Sequence, residues 1–318
     1  MGNTDISNIP GIRIGNAQNN EAGTGCTVII CDDGAIAGVD VRGGAPGTRE
    51  TDLLNPENLV DEVHGVLLSG GSAFGLDAAS GIMEYLEGSG IGFDAGITKV
   101  PIVIGAVLFD LEVGNYKIRP DKKMGYEACI NSEKMQFYEG NVGAGTGASI
   151  GKVLGIKRAM KGGLGSYCFK AGELYVGAIV AVNSLGDVID PINNKIIAGA
   201  LKEDGSFLDS ESFIINSFYS SHAFTGNTTI GAVITNALLN KAQAGKVASM
   251  AHNGYARTIR PSHTMYDGDT IFTLSCGKVD GDVSAVGTLA AKAVEQAVIN
   301  GVKKAKGAYG LKCSSDLF

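Results

Sequence analysis

Apolar runs alternate along this chain with clusters of Gly, Asn, Asp and Ser, and the spacing of the apolar positions switches between two periods. Runs rich in Val, Ile and Thr suit a pleated, buried surface, so residues 12–15, 26–31 and 35–41 are expected to be strands. Asp32, Asp33 and Gly34 lie between the last two and predict a hairpin turn. A brief apolar strand over 66–68 leads into Ser69, Gly70, Gly71 and Ser72. Leu76, Ala79, Ser80, Met83 and Leu86 then fall on one helical face and predict a helix over 73–86. Residues 101–110 form another buried strand, 116–123 a polar surface loop, and 126–131 a helix. Strands over 167–171 and 174–183 follow, closed by a turn at 184–187. Residues 203–222 are the least patterned and predict a surface loop. Gly226 and Asn227 punctuate the chain before a strand that opens at Thr228 and runs to Asn236. A helix over 238–252 should stop at Asn253 and Gly254. Asp267, Gly268 and Asp269 make a turn before a strand to Leu274, and an Ala-rich helix covers 284–302. No repeat or linker interrupts the pattern, so residues 1–318 are expected to form one domain of mixed α/β class.

Composition sharpens this picture. Hydrophobic residues make up 44% and charged ones 19%, with mean hydropathy +0.13, so the chain can bury a thick core. The net charge of −7 and scattered Lys and Arg leave no basic stripe for phosphates, which argues against nucleic acid as a partner. Cys26, Cys31, Cys129, Cys168, Cys276 and Cys313 lie far apart without a C-x-x-C pair, and His64, His222, His252 and His263 lack ligand spacing. Neither a metal nor a cofactor is therefore expected. The first ten residues carry no secretory pattern, and the longest apolar runs fall well short of a membrane span of ~18 residues, so a soluble, cytoplasmic protein is expected.

Three glycine-rich places invite chemistry. The turn at Ser72 looks like a nucleophile elbow, but G-x-S-x-G needs Gly where Phe74 stands, and a helix cap is the preferred role for that serine. Gly143, Gly145 and Ala148 fit the spacing of a dinucleotide fingerprint, but no apolar strand leads into them; the loop is better suited to bringing backbone close to an active site. The third place is Gly226–Asn227–Thr228. Cutting the peptide bond between Asn227 and Thr228 would give one residue both a hydroxyl nucleophile and a free α-amine, and a flexible lead-in over 203–222 would suit such a cut. By itself the segment equally describes an ordinary strand after a turn. Asn183 ends a strongly apolar strand, where it could form a turn or donate to a developing oxyanion.

Taken together, the segment from Gly226 to Thr235, the helix ending at His252 and Asn253, and the run Pro261, Ser262, His263, Thr264 through Asp267, Gly268, Asp269, Thr270 resemble the L-aminopeptidase/D-esterase family. That family includes the β-peptidyl aminopeptidases and the nylon-oligomer hydrolases. The resemblance reaches from Gly11–Ile12–Arg13–Ile14–Gly15, through Gly71–Ser72–Ala73–Phe74–Gly75–Leu76, to the C-terminal helix. It implies a four-layer αββα sandwich of the N-terminal-nucleophile-hydrolase type, self-cleaved into an α chain of residues 1–227 and a β chain of 228–318, and an oligomer of αβ units. It further implies that Thr228 is the nucleophile and its own amine the general base, that Asp267 and Asp269 are an acidic pair positioning them, and that Asn183 is the oxyanion amide. Lys152 resembles a lysine of the same site, with Lys161 as a rival, and Phe109 stands where some members carry an active-site Tyr. The expected activity is hydrolysis of peptide or other linear amides through an acyl-enzyme. Acyl transfer to an amine, or an uncleaved binding protein on the same scaffold, are the alternatives.

Overall fold

A computed structural model describes residues 2–217 and 226–317; His222 and Thr225 lie outside the described residues. Eight main strands and five helices carry the architecture: β1 (Arg13–Asn19), β2 (Thr24–Val41), β3 (Glu62–Ser69), α1 (Ala78–Gly88), β4 (Val103–Val107), α2 (Lys122–Ser132), β5 (Leu164–Ala171), β6 (Leu174–Ala181), α3 (Ser210–Asn216), β7 (Ile230–Ala237), α4 (Lys241–Thr258), β8 (Thr270–Val279) and α5 (Val283–Lys304).

The alternation of side chains along each strand builds the layers. Val176, Ala178 and Val180 of β6, Val233 of β7 and Ile271 of β8 face α4 and α5, where they meet Val247, Ala251, Val294 and Val298. Their neighbours Ile179, Ala181, Ile230, Ala232, Ile234, Phe272 and Leu274 point the other way, onto Ile29 of β2, Val66 and Leu68 of β3 and Ile104 of β4. The opposite faces of those strands, with Val28, Ile30, Leu67 and Val103, bury Ala79, Ile82 and Leu86 of α1 and Ala128 of α2. Two helical layers thus enclose two sheet layers, in the expected αββα order.

The two sheet layers are joined by one strand. The first half of β2 pairs with β1 and β3, and its second half pairs with β8. Between Ile30↔Gly65 and Ala35↔Val63 the register shifts, so Asp32, Asp33 and Gly34 form a bulge and not the predicted hairpin. The same turn-forming residues serve both purposes, and the pairing partners of the two halves decide which.

Other differences from the pattern have similar causes. Asn253 and Gly254 do not end α4, which is opened by Asn240 and Gln243 in a capping box and continues to Thr258. A Cβ at Gly254 would stand 2.6 Å from the carbonyl oxygen of Ala291, so the glycine lets α4 approach α5. Residues 203–222 are not all loop: Asp209 caps α3 by accepting from the Ser212 amide. The turn at 184–187 passes into a small sheet in which Asp187–Asp190 pairs with Lys195–Ala198 and Ile259–Arg260. Ser72 makes no side-chain cap; it opens a 3-10 turn, Ser72–Asp77, with its φ at 53°.

Candidate active site

Strand register assembles the site. In the antiparallel pair β6–β7, Ala181 faces Ile230, and extending that register by two residues sets Asn183 beside Thr228. In the parallel pair β7–β8, Ile230 faces Thr270, which sets Gly268 and Asp269 on the other flank of Thr228 and Thr229. Hydrogen bonds fix both flanks. The Thr228 amide donates to the Asn183 carbonyl at 2.8 Å, and the Thr229 amide donates to Asp269 Oδ1 at 2.8 Å.

Thr228 is buried and its Oγ1 donates to the carbonyl oxygen of Asn227, the residue before it. Gly268 N–H donates to the same hydroxyl at 3.1 Å and to the same Asn227 carbonyl at 3.2 Å. Only glycine fits at position 268, because a Cβ would stand 2.7 Å from both Thr228 Oγ1 and the Ala45 carbonyl oxygen. Gly226 is equally constrained: its φ is 82° and a Cβ there would collide with the Phe109 ring at 2.0 Å. The Asn227–Thr228 bond lines a cavity of about 210 Å³ whose walls include Ser72, Val107, Leu108, Phe109 and Tyr266.

Asn183, fully buried, is the hub on the β6 side. Its Oδ1 accepts from Lys152 Nζ at 2.8 Å and from Ser149 N–H at 2.9 Å; its Nδ2 donates to the Phe109 carbonyl at 3.0 Å. Lys152 Nζ also donates to the Asn183 carbonyl at 3.2 Å, the oxygen that receives the Thr228 amide. Burial pushes the Lys152 ammonium down to about 7, against the opposing pull of Asp267 and, more weakly, of Glu112, Asp110 and Asp269. Lys161 is also buried, but its Nζ donates to the carbonyls of Gly145, Ala148 and Gly162 at 2.7–2.9 Å, none of them part of the Thr228 cluster. The glycine-rich loop therefore does bring backbone to the site: Ser149 N–H holds Asn183, and Lys161 ties the loop down.

On the β8 side, Asp267 Oδ2 accepts from the amide and the hydroxyl of Thr264, at 3.0 and 2.5 Å. Its carboxyl is pushed up to about 6, chiefly by burial and then by the neighbouring Asp269, while the Thr264 bonds oppose the shift. Asp269 Oδ2 accepts from the amide and Nδ1 of His263, each at 2.9 Å. Thr228, Asp267, Asp269, Asn183 and Lys152 thus come together, and Lys161 stands apart. Reading residue types alone missed the Gly268 amide, Ser149, Thr264 and His263. The two side chains at 263 and 264 lay within the run Pro261–Thr270, but backbone donors leave no signal in a sequence.

Comparison with known proteins identifies the fold and the family. The structure of the L-aminopeptidase D-Ala-esterase/amidase from Ochrobactrum anthropi, described as a variant of the Ntn hydrolase fold, superposes with TM-score 0.71 at 17% identity, covering 97% of this chain and 89% of that one. The beta-aminopeptidase of a Burkholderia species gives TM-score 0.68 at 19% identity, over 93% and 85%. The class is therefore the N-terminal-nucleophile-hydrolase fold. The family model for peptidase family S58 matches residues 4–314, and the chain belongs to that family of amide-bond hydrolases. An uncharacterized aminopeptidase of Mycobacterium bovis is 38% identical over 98% of this chain and 97% of its own length. A 6-aminohexanoate-oligomer endohydrolase of Paenarthrobacter ureafaciens is 31% identical over 85% and 74%. Among the described residues, no helix is long and apolar enough to cross a membrane, and no cluster of His, Cys, Asp and Glu could hold a metal.

Proposed function

We propose that the chain cuts itself between Asn227 and Thr228, and that Thr228, as the new N-terminus of a β chain, hydrolyses amides through an acyl-enzyme. The observation that carries this reading is the contact of Thr228 Oγ1 with the carbonyl it would attack, together with Gly268 N–H on that carbonyl oxygen. Attack by the hydroxyl oxygen on the Asn227 carbonyl carbon, with the proton passing to the departing nitrogen, shifts the acyl group from nitrogen to oxygen. Water then hydrolyses the ester. Gly268 N–H serves as an oxyanion donor, a contribution typically worth about 2.7–4 kcal/mol.

After cleavage the Thr228 nitrogen is a primary amine beside the Asn183 carbonyl. An α-amine of pKa near ~8 is partly neutral at pH 7 and can take the proton from its own hydroxyl. Asp269, on the Thr229 amide, fixes the backbone next to the nucleophile. Asp267 keeps the buried Lys152 charged enough to stabilise negative charge near Asn183. For Asn183, the bond from Nδ2 to the Phe109 carbonyl supports first a role in orienting Lys152 and the Thr228 nitrogen; donation to a substrate oxyanion would require that bond to open. The substrate would be a linear amide, received by a cavity whose walls combine Val107, Leu108 and Phe109 with the polar Ser72, Asn227 and Tyr266. Aminopeptidase-type and oligomer-amide substrates are the two classes that the relatives' activities suggest.

Intact-mass analysis tests the reading directly. Purified protein should resolve into fragments 1–227 and 228–318, and Thr228→Ala should stay whole. A wild-type chain that remains uncut after prolonged incubation at pH 7–8, yet hydrolyses amides, would refute it.

A further inference from the structure

The geometry points to His263 as a positioning residue: it locks the carboxylate of Asp269, which in turn locks the backbone beside the nucleophile. This inference rests on the reading of Asp269 as a member of the active site. An ionised carboxylate only accepts hydrogen bonds, so the 2.9 Å contact between Asp269 Oδ2 and His263 Nδ1 places the hydrogen on Nδ1. The other oxygen, Oδ1, is committed to the Thr229 amide. Rotation of the carboxylate would break both bonds, so the imidazole and the Thr229 backbone are mechanically linked through one buried group.

The ring is held from behind as well. His263 lies 4.8 Å from the ring of His252 and 6.2 Å from that of Tyr255, both on α4 and both fully buried. His252 Nε2 is 2.9 Å from the Asp40 carbonyl and therefore carries its hydrogen, which leaves Nδ1 as an acceptor on a ring that burial keeps neutral, its pKa pushed down to about 4. Among the described residues, His252 Nδ1, His263 Nε2, Tyr255 Oη and Thr229 Oγ1 are buried polar atoms with no protein partner. Tyr255 Oη lies under Gly231, where a Cβ would stand 2.7 Å from it, and Gly231 shares a strand face with Thr229. Two hydroxyl donors and two ring-nitrogen acceptors, complementary in kind, therefore gather behind the first residues of β7. Leaving such groups unused in an interior costs stability, so this face of the ring is held by packing, and the hydrogen bond that His263 makes to Asp269 is its polar tie to the β8 turn.

The backbone at His263 makes the substitution test clean. Its φ is 60°, a conformation that Asn tolerates better than most residues, and an Asn side-chain amide can donate from near the position of Nδ1. His263→Ala should slow self-cleavage and lower kcat by roughly 10- to 100-fold, the scale of a misplacement of about 1 Å, while KM changes little. His263→Asn should recover most of that loss. Asp269→Asn should be at least as impaired, and adding His263→Ala to it should cost little more, because both changes break one chain of contacts. Normal kcat and processing in a folded His263→Ala protein, with Asp269→Asn impaired, would overturn the inference and leave the Asp269 reading standing. Normal activity in Asp269→Asn would overturn both. Equal losses of kcat and melting temperature in His263→Ala and His263→Asn would reduce His263 to a structural residue and also overturn it.

Discussion

Replacing each buried lysine by methionine separates a residue of the chemistry from a residue of the fold. Among the described residues, Lys161→Met removes the only donor to the Gly162 carbonyl and one of two donors to each of the Gly145 and Ala148 carbonyls. An orphaned buried carbonyl costs about 1–3 kcal/mol and a halved one about 1, so the lost bonds cost about 3–5 kcal/mol, less what removing a buried ammonium returns. Lys152→Met orphans nothing. The Asn183 carbonyl keeps the Thr228 amide at 2.8 Å, and Asn183 Oδ1 keeps the Ser149 amide at 2.9 Å. Removing an ammonium that burial already disfavours offsets the lost bonds, so the change in stability should stay within about 1 kcal/mol. Stability is best measured by thermal and urea unfolding in a Thr228→Ala background, so that processing does not change the molecule being unfolded. Self-cleavage and turnover are measured in the otherwise wild-type chain. Lys161→Met should lower Tm by several degrees, up to roughly 8 °C for a chain of this size. Lys152→Met should leave Tm nearly unchanged but slow processing and turnover by at least tenfold. Equal Tm losses in the two variants, or normal processing in Lys152→Met, would refute the reasoning.

Two further outcomes follow from the β8 turn. Asp267 is raised from 3.8 to about 6 in the folded protein, so its contribution to stability is present at low pH and lost as pH rises through about 6. At ~1.4 kcal/mol per pH unit the whole window is worth about 3 kcal/mol, and Asp267→Asn should flatten the dependence of unfolding free energy on pH between 4 and 6. Urea titrations of wild type and variant at pH 4.5 and 6.5 measure this, and parallel curves would contradict it. Gly268→Ala places a Cβ 2.7 Å from Thr228 Oγ1, so it should abolish self-cleavage even where circular dichroism shows a folded protein; efficient cleavage would remove the Gly268 amide from the site.

The sequence by itself determined the α/β class, most strand positions and the approximate places of α1, α2, α4 and α5, because these depend on local periodicity. Local signals placed Thr228 after a Gly-Asn break and Asp267 and Asp269 in a D-G-D turn before a strand, but it was the family resemblance of the combined motifs that made them candidates for chemistry. What the sequence left open was decided by distant parts of the chain. Whether Asp32–Gly34 reverses the strand or bulges it depends on β3 and β8, which pair with the two halves of β2. Whether Gly254 ends α4 depends on α5 lying against it. Lys152 and Lys161 look alike in sequence, and the structure gives them different partners: Asn183 for the one, the carbonyls of Gly145, Ala148 and Gly162 for the other. Asn183 was expected to face either a turn or the reaction; strand register instead joins it at once to Lys152, Ser149, Phe109 and Thr228. The Gly268 amide meets Thr228 only where β7 and β8 run side by side. Local composition sets which elements form, while a site made of backbone donors and buried partners is fixed by the pairing of strands far apart in the chain.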